Sequence, residues 1–203
     1  ALAISSNSII QNTRHVLPKV GNLLNHCGTF PKGFVLENVK GITTLGNGKY
    51  LKAIMRSLKA IRSPVRGESN FGSNTGLTGT SQAYRLEHRI LNTKDHGIPQ
   101  DRPRWYCVGI RKDVEGDSFE FPTPILCPPI DLFLDKTVPK ESPKEGTMQK
   151  NIKRAFERIK EQGHDPQKEI SVIDCDASAK RMHWRKDCSP CITRSRCRGH
   201  WIS

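Results

Sequence analysis

The run Gly33-Phe34-Val35-Leu36-Glu37-Asn38-Val39 is short, apolar and β-prone until an acid and an amide arrive together at its end. That pattern predicts a buried strand of an α/β sheet ending in a polar tip. Upstream, Val16, Leu17, Val20, Leu23 and Leu24 recur at helical spacing through Arg14–His26, with Pro18 tolerable only in the first turn. Gly28 to Gly33 then turns the chain into the strand, which makes an αβ step of a wound sheet. Downstream, Leu51, Ile54, Met55, Leu58 and Ile61 form one apolar stripe through Lys49–Ile61 and predict a packing helix. Ser63 to Gln82 is rich in Gly, Ser, Asn and Thr and reads as a surface insertion. Tyr84, Leu86, His88 and Ile90 alternate with Arg85, Glu87 and Arg89, which predicts a strand with one buried face and a satisfied structural histidine at position 88. After a turn at Asn92–Pro99, Trp105–Ile110 is the next strand.

A proline-rich stretch from Phe121 to Pro129 marks a boundary, and we divide the chain into 1–127 and 128–203. Beyond it, Ile152, Phe156 and Ile159 predict an amphipathic helix near Gln149–Gln162, followed by a short strand at Ile170–Ile173. The second part therefore reads as a small α+β unit.

Composition narrows the class. The chain has 203 residues, 35% of them hydrophobic, and a formal net charge of +13. A polyanion is the simplest partner for that charge, and nucleic acid the commonest; the alternative is a soluble basic protein. Leu2–Ile10 lacks a basic flank and is too short and polar for a signal peptide or a membrane span, so no membrane partner is expected. Position 1 is Ala rather than Met, and the start is read as internal to a longer chain. Seven Cys without a secretory signal suggest reduced thiols in nucleus or cytosol. Gly41, Gly46 and Gly48 lack the strand–Gly-x-Gly–helix context of a phosphate loop.

Three groups could carry chemistry. Ligands of open α/β sheets sit beyond the carboxyl ends of the strands, so Glu37 would point at them; otherwise it is a surface carboxylate. In Gly97-Ile98-Pro99-Gln100-Asp101-Arg102-Pro103-Arg104, Arg102 and Arg104 share one face if both run into the strand. Two guanidiniums with the Gln100 amide bind carboxylates, phosphates or a base edge, unless they are a solvated pair. Ala177–Ser203 sets Lys180, Arg181, Arg185, Lys186, Arg194, Arg196 and Arg198 against the single acid Asp187, interleaved with His183, Trp184, His200 and Trp201. Such a run contacts phosphates and bases, or is a disordered basic tail. The same stretch holds Cys188-x-x-Cys191 and Cys197-x-x-His200, four ligands at zinc-like spacing.

Phe34–Gly41 followed by Leu91-Asn92-Thr93-Lys94-Asp95-His96-Gly97-Ile98-Pro99-Gln100-Asp101-Arg102-Pro103-Arg104 resembles the DNA (cytosine-5) methyltransferase family. The first segment matches its Glu-Asn-Val motif. The second matches Asn-Ala-x-Asp-Tyr-Gly-Val-Pro-Gln-x-Arg-x-Arg, with Thr93 and His96 as departures. The resemblance covers Phe30–Asp113. Asn12-Thr13-Arg14-His15-Val16-Leu17 is similar to the family's Asp-x-Arg-x-x-Leu helix start, which implies that Leu17 contacts the cofactor. Ser189-Pro190-Cys191-Ile192-Thr193 resembles the Pro-x-Thr segment of the family's target recognition domain, with Arg194 in place of the usual Leu.

The resemblance implies a fold and a reaction. The fold is part of a Rossmann-like S-adenosylmethionine-dependent methyltransferase sheet in 1–127, followed by part of a target recognition domain in 128–203. The reaction moves a methyl group from S-adenosylmethionine to C5 of a cytosine flipped out of double-stranded DNA. C5 is a poor nucleophile until a thiolate adds at C6, and that addition pushes charge toward N3. By resemblance Glu37 donates to N3, Arg104 holds O2, and Arg102 supports the loop or a phosphate. Asn38 and Gln100 are framework groups of the substrate side, and Thr193, Arg194 and Arg196 contact DNA. The family's Pro-Cys loop, expected just upstream of Ala1, is missing from the sequence, as are its Phe-x-Gly-x-Gly cofactor loop, expected outside this chain, and the C-terminal motifs expected beyond Ser203, so the chain is expected to be inactive alone. Two alternatives stand beside this reading: a non-catalytic DNA-binding protein on the same scaffold, and a zinc-stabilised nucleic-acid module built on Cys188, Cys191, Cys197 and His200. The motif set also occurs in a transfer-RNA methyltransferase branch. Localisation follows the source, nuclear in a eukaryote and otherwise cytoplasmic.

Overall fold

Alternation of apolar and polar residues decides how the first sheet is built. The computed structural model describes residues 3–4, 31–62, 81–114, 119–137, 146–175, 184–192 and 199–202. Strand β1 is Ala3–Ile4, β2 is Gly33–Val39, β3 is Tyr84–Asn92, β4 is Gln100–Asp101 and β5 is Pro103–Arg111. The first sheet runs in the order β1-β2-β5-β3. β1 and β2 are parallel, and β2 and β5 antiparallel, so the sheet is mixed. In β2, Phe34, Leu36 and Asn38 are buried while Val35, Glu37 and Val39 take the other face. The expected strand is therefore present, and only one of its faces is buried in the core.

Helix α1, Lys49–Lys59, covers that face. It starts after Gly46-Asn47-Gly48, all three at positive φ, a turn that two glycines and an asparagine adopt with little strain. Its apolar stripe packs as the sequence predicts: Leu58 is buried, and Leu51, Ile54 and Met55 lie against Phe34, Leu36, Tyr84, Trp105 and Cys107. The Phe34 and Tyr84 rings meet edge-on at 5.0 Å. The Tyr84 hydroxyl donates to the Pro31 carbonyl at 3.0 Å, and burial pushes the phenol up to about 12.

Strand β3 departs from expectation. Tyr84 is buried and Leu86 partly so, but His88 and Ile90 are exposed. Among the described residues, the packed cluster under the strand includes Tyr84 and Leu86 and goes no further along it, so the alternation continues past that cluster. His88 is not a core histidine. Its Nδ1 accepts a hydrogen bond from the Trp105 indole at 3.4 Å.

The chain divides into two compact units, 1–91 with 103–122, and 92–102 with 123–203. The first is the α/β sheet just described. In the second, β7 (Trp184–Lys186), β6 (Ser171–Asp174) and β9 (His200–Ile202) form an antiparallel sheet, and β4 pairs in parallel with β8 (Ser189–Pro190). Helix α2, Thr147–Glu161, buries Ile152, Ala155 and Ile159 against Ile173 and Cys175. The Asn151 amide donates to the Cys175 carbonyl at 3.0 Å within that interior. The division differs from a single break after residue 127. It falls after Pro122, and Asn92–Arg102 crosses into the second unit because the Ser189 N–H reaches the Pro99 carbonyl at 2.7 Å and the Ile125 N–H reaches that of Asp95 at 2.9 Å. The Ser63–Gln82 insertion lies almost wholly outside the described residues; Arg62 and Gln82, at its ends, form an antiparallel bridge. No described helix is long and apolar enough to cross a membrane.

Gly109 stands opposite Phe34 in the β2–β5 register, and a Cβ there would overlap the Phe34 ring. Gly109→Ala is expected to destabilise the protein by about 1–3 kcal/mol through overpacking. Urea unfolding checks this; an unchanged midpoint contradicts the packing described.

Candidate active site

Register brings the candidate acid and its arginine together. In the β2–β5 pair, Glu37 lies opposite Tyr106 and Val39 opposite Arg104. Residues 37, 39, 104 and 106 therefore share the sheet face that turns away from the core, and Glu37 and Arg104 are diagonal neighbours. Arg104 Nε contacts Glu37 Oε1 at 2.9 Å, with the two side chains 15% and 26% exposed. Arg104 Nη1 also donates to the Pro103 carbonyl at 3.0 Å, which fixes the plane of the guanidinium. Partial burial lessens screening, so the pair is held more firmly than a fully exposed one.

Asn38 lies on the opposite, buried face, across from Trp105. Its Oδ1 accepts from the Val39 N–H at 2.7 Å. It shapes the strand end that presents Glu37.

Arg102 and Arg104 do not continue one strand face. β5 begins at Pro103, which has no N–H to give a ladder. The Arg102 N–H donates instead to Asn92 Oδ1 at 2.8 Å, and its Nη1 to the Cys191 thiol at 3.8 Å. Arg102 belongs to the second unit and Arg104 to the first. Gln100, in β4, pairs with Ser189 and uses its carbonyl to accept from Thr93 Oγ1 and the Arg102 N–H.

A residue that the sequence reading did not single out organises this segment. Asp101 Oδ1 accepts from the Asn92 amide at 2.7 Å, and Asp101 Oδ2 meets Arg185 Nη2 at 2.5 Å. The available signal was an acid between Gln100 and Arg102 with an Asx residue nine positions earlier; its meaning depends on a partner 84 positions later.

Leu17, Thr193, Arg194, Arg196 and Cys197 lie outside the described residues. The Cys188 and Cys191 sulfurs lie against the carbonyls of Ser189 and Ile192. His200 stands in β9 opposite Asp174. Among the described residues, no three His, Cys, Asp or Glu side chains gather to hold a metal. Two of the described thiols, Cys107 and Cys188, are also poor nucleophiles. Burial, then the charge of Glu87, pushes Cys107 up to about 12, and burial, then Asp101, raises Cys188. An activated cysteine shows the opposite shift.

The family model for C-5 cytosine-specific DNA methylase matches residues 77–194, more than half of the chain. The chain belongs to this family. It is 36% identical over 92 residues to the type II methyltransferase M.BspRI of Lysinibacillus sphaericus, covering 45% of this chain and 16% of that protein. It is 36% identical over 108 residues to M.AquIA of Picosynechococcus sp., covering 51% and 37%. It is 33% identical over 111 residues to M.HpaII of Haemophilus parainfluenzae, covering 54% and 26%. The chain thus spans well under half the length of these type II methyltransferase relatives. Among solved structures it is similar to the Dnmt2 methyltransferase of S. pombe, with a TM-score of 0.32 and 19% identity over 58% of this chain and 29% of that one. Gln100, Arg102, Arg104, Thr193 and Arg194 fall inside the matched methylase span, while Glu37 precedes it and Arg196 follows it.

The Cys107 environment carries a direct test. At pH 8 a thiol pushed up to about 12 stays protonated. Iodoacetamide footprinting of the native protein is expected to leave Cys107 unlabelled and to label it only on unfolding. Native labelling of Cys107 as fast as half-buried Cys191 contradicts this environment.

Proposed function

We propose that the chain is part of a DNA cytosine-C5 methyltransferase, in which Glu37 and Arg104 receive the flipped cytosine. The observation that carries the reading is their ion pair on the face of β2 and β5 that turns away from the core. A carboxyl group beside a guanidinium matches the N3/O2 edge of cytosine: the guanidinium donates to the carbonyl oxygen and the protonated carboxyl to the adjacent ring nitrogen.

S-adenosylmethionine supplies the electrophilic methyl group, and no described side chain is assigned to it. The chain's own residues act on the base. Before the base arrives, Arg104 holds Glu37 Oε1 in place and the two charges offset each other. On entry the guanidinium turns its donors to O2, and Glu37, having taken up a proton, donates to N3. When a thiolate adds at C6, electron density moves to N3, which takes the proton from the Glu37 carboxyl group. That interaction favours the transition state over the bound ground state. C5 then carries the density needed to accept the methyl group. Transfer of the C5 proton to solvent water and expulsion of the thiolate from C6 restore the aromatic ring, and N3 gives its proton back to the Glu37 carboxylate. Buried Cys107 and Cys175 do not supply the thiolate. Asn38 holds the strand end, and Arg102 and Gln100 order the preceding segment. In this reading 1–127 contributes to the catalytic domain and 128–203 to target recognition, with Thr193, Arg194 and Arg196 on DNA.

Glu37→Gln keeps the shape and one donor but cannot transfer a proton. Loss of a general acid typically costs about a hundredfold or more in rate. Single-turnover methylation of a DNA duplex by the complete protein should fall by that order, with DNA affinity little changed. A rate within a few-fold of the parent makes Glu37 a framework residue and overturns the assignment.

A further inference from the structure

The second unit carries an open cleft of about 560 Å³ for which transfer chemistry at Glu37 has no use. Its wall is assembled from segments far apart in sequence. Lys94 comes from the turn after β3, Asp101 from β4, Arg158 from α2, and Trp184, Arg185 and Lys186 from β7. Four cations and one carboxylate therefore meet in one concavity. Two of the cations are already satisfied: Arg185 by Asp101 at 2.5 Å, and Lys186 by Glu169 at 2.9 Å. Among the described residues, neither Lys94 nor Arg158 has a carboxylate within ion-pair distance. Two uncompensated cations in a concave wall concentrate anions.

The aromatic member is already ordered. Trp184 packs against the α2–β6 core, and the His164 ring meets it edge-on at 5.3 Å. His164 is in turn held by Glu169, Nδ1 to Oε2 at 2.8 Å. An indole fixed in this way loses little further freedom when a flat ring stacks on it. Cations beside a fixed aromatic are the combination that binds a phosphate together with its base.

We propose that this cleft is a binding site for one nucleotide unit, with its phosphate at Lys94 and Arg158 and its base against Trp184. A nucleic-acid strand and a free nucleotide offer the same chemistry. The proposal rests on the proposed function only in taking DNA as the strand.

Both cationic side chains are exposed, so reversing their charge leaves the fold intact, which circular dichroism checks. The experiment measures anisotropy of a fluorescein-labelled duplex on the complete protein, the Lys94→Glu/Arg158→Glu variant and the neutral Lys94→Gln/Arg158→Gln variant, across a salt series. Charge reversal is expected to weaken binding about tenfold or more at low salt, and the neutral variant less, with the salt slope lowered by about two in the neutral variant and by at least as much on reversal. AMP added at millimolar concentration separates the sources. Displacement of the duplex from the parent but not from the reversed variant shows that a free nucleotide enters the site the strand uses; failure to displace shows that the site takes a strand and not the free nucleotide. Affinity and slope within about twofold of the parent in both variants overturn the proposal. If the parent methylates DNA and the variants bind as tightly, the cleft alone fails. If the parent binds through the cleft and never methylates, the proposed function alone fails.

Discussion

The antiparallel register of β2 and β5 is the constraint on which the first unit depends. It runs without a break from Gly33 opposite Ile110 to Val39 opposite Arg104. A slip of one residue would send every side chain to the other face. In the observed register, Phe34 meets Gly109, Leu36 meets Cys107 and Asn38 meets Trp105, all on the core side. The same alternation leaves Glu37 and Arg104 diagonal to each other on the other face, 2.9 Å apart. The core and the candidate site are thus two sides of one pairing. The absent side chain at Gly109 belongs to both, because Phe34 fills that space and so anchors the strand that carries Glu37.

The segment just before Arg104 answers to different forces. Asn92–Arg102 is fastened in the second unit by β4–β8 pairing, by Asn92 on Asp101 and the Arg102 N–H, and by Asp101 on Arg185. Pro103 then ends that arrangement and opens β5. Residues adjacent in one motif consequently serve two bodies: Arg104 arms the sheet face that turns away from the core, while Gln100 and Arg102 stabilise the loop through backbone bonds. Asp101 is central to that loop, since its two oxygens bind an amide and a guanidinium from different elements.

Elements with strong periodicity were legible in the sequence. The stripe Leu51, Ile54, Met55 and Leu58 forms α1, and Ile152 and Ile159 anchor α2, because burial of such a stripe outweighs weak local propensities. β3 shows the limit of the same logic. His88 and Ile90 keep the alternation of Tyr84 and Leu86, but coverage is a tertiary property and stops short of them. The motifs single out Glu37 and Arg104 as candidates, whereas their ion pair depends on a register that no local pattern encodes. The assignment of Arg102 to the second unit, the role of Asp101, and the meeting of Lys94 with Arg158 and Trp184 all require long-range closure. Single positions carry no signal of it.

The central claim is that Glu37 and Arg104 act on the base as one unit. A double-mutant cycle on single-turnover methyl transfer by the complete protein, using Glu37→Gln, Arg104→Ala and the pair, addresses it most directly. If the two residues work together, the double variant is no slower than the worse single variant by more than about threefold, because either loss already dismantles the unit. Losses that multiply across the two substitutions would show that Glu37 and Arg104 act independently, and would contradict the account.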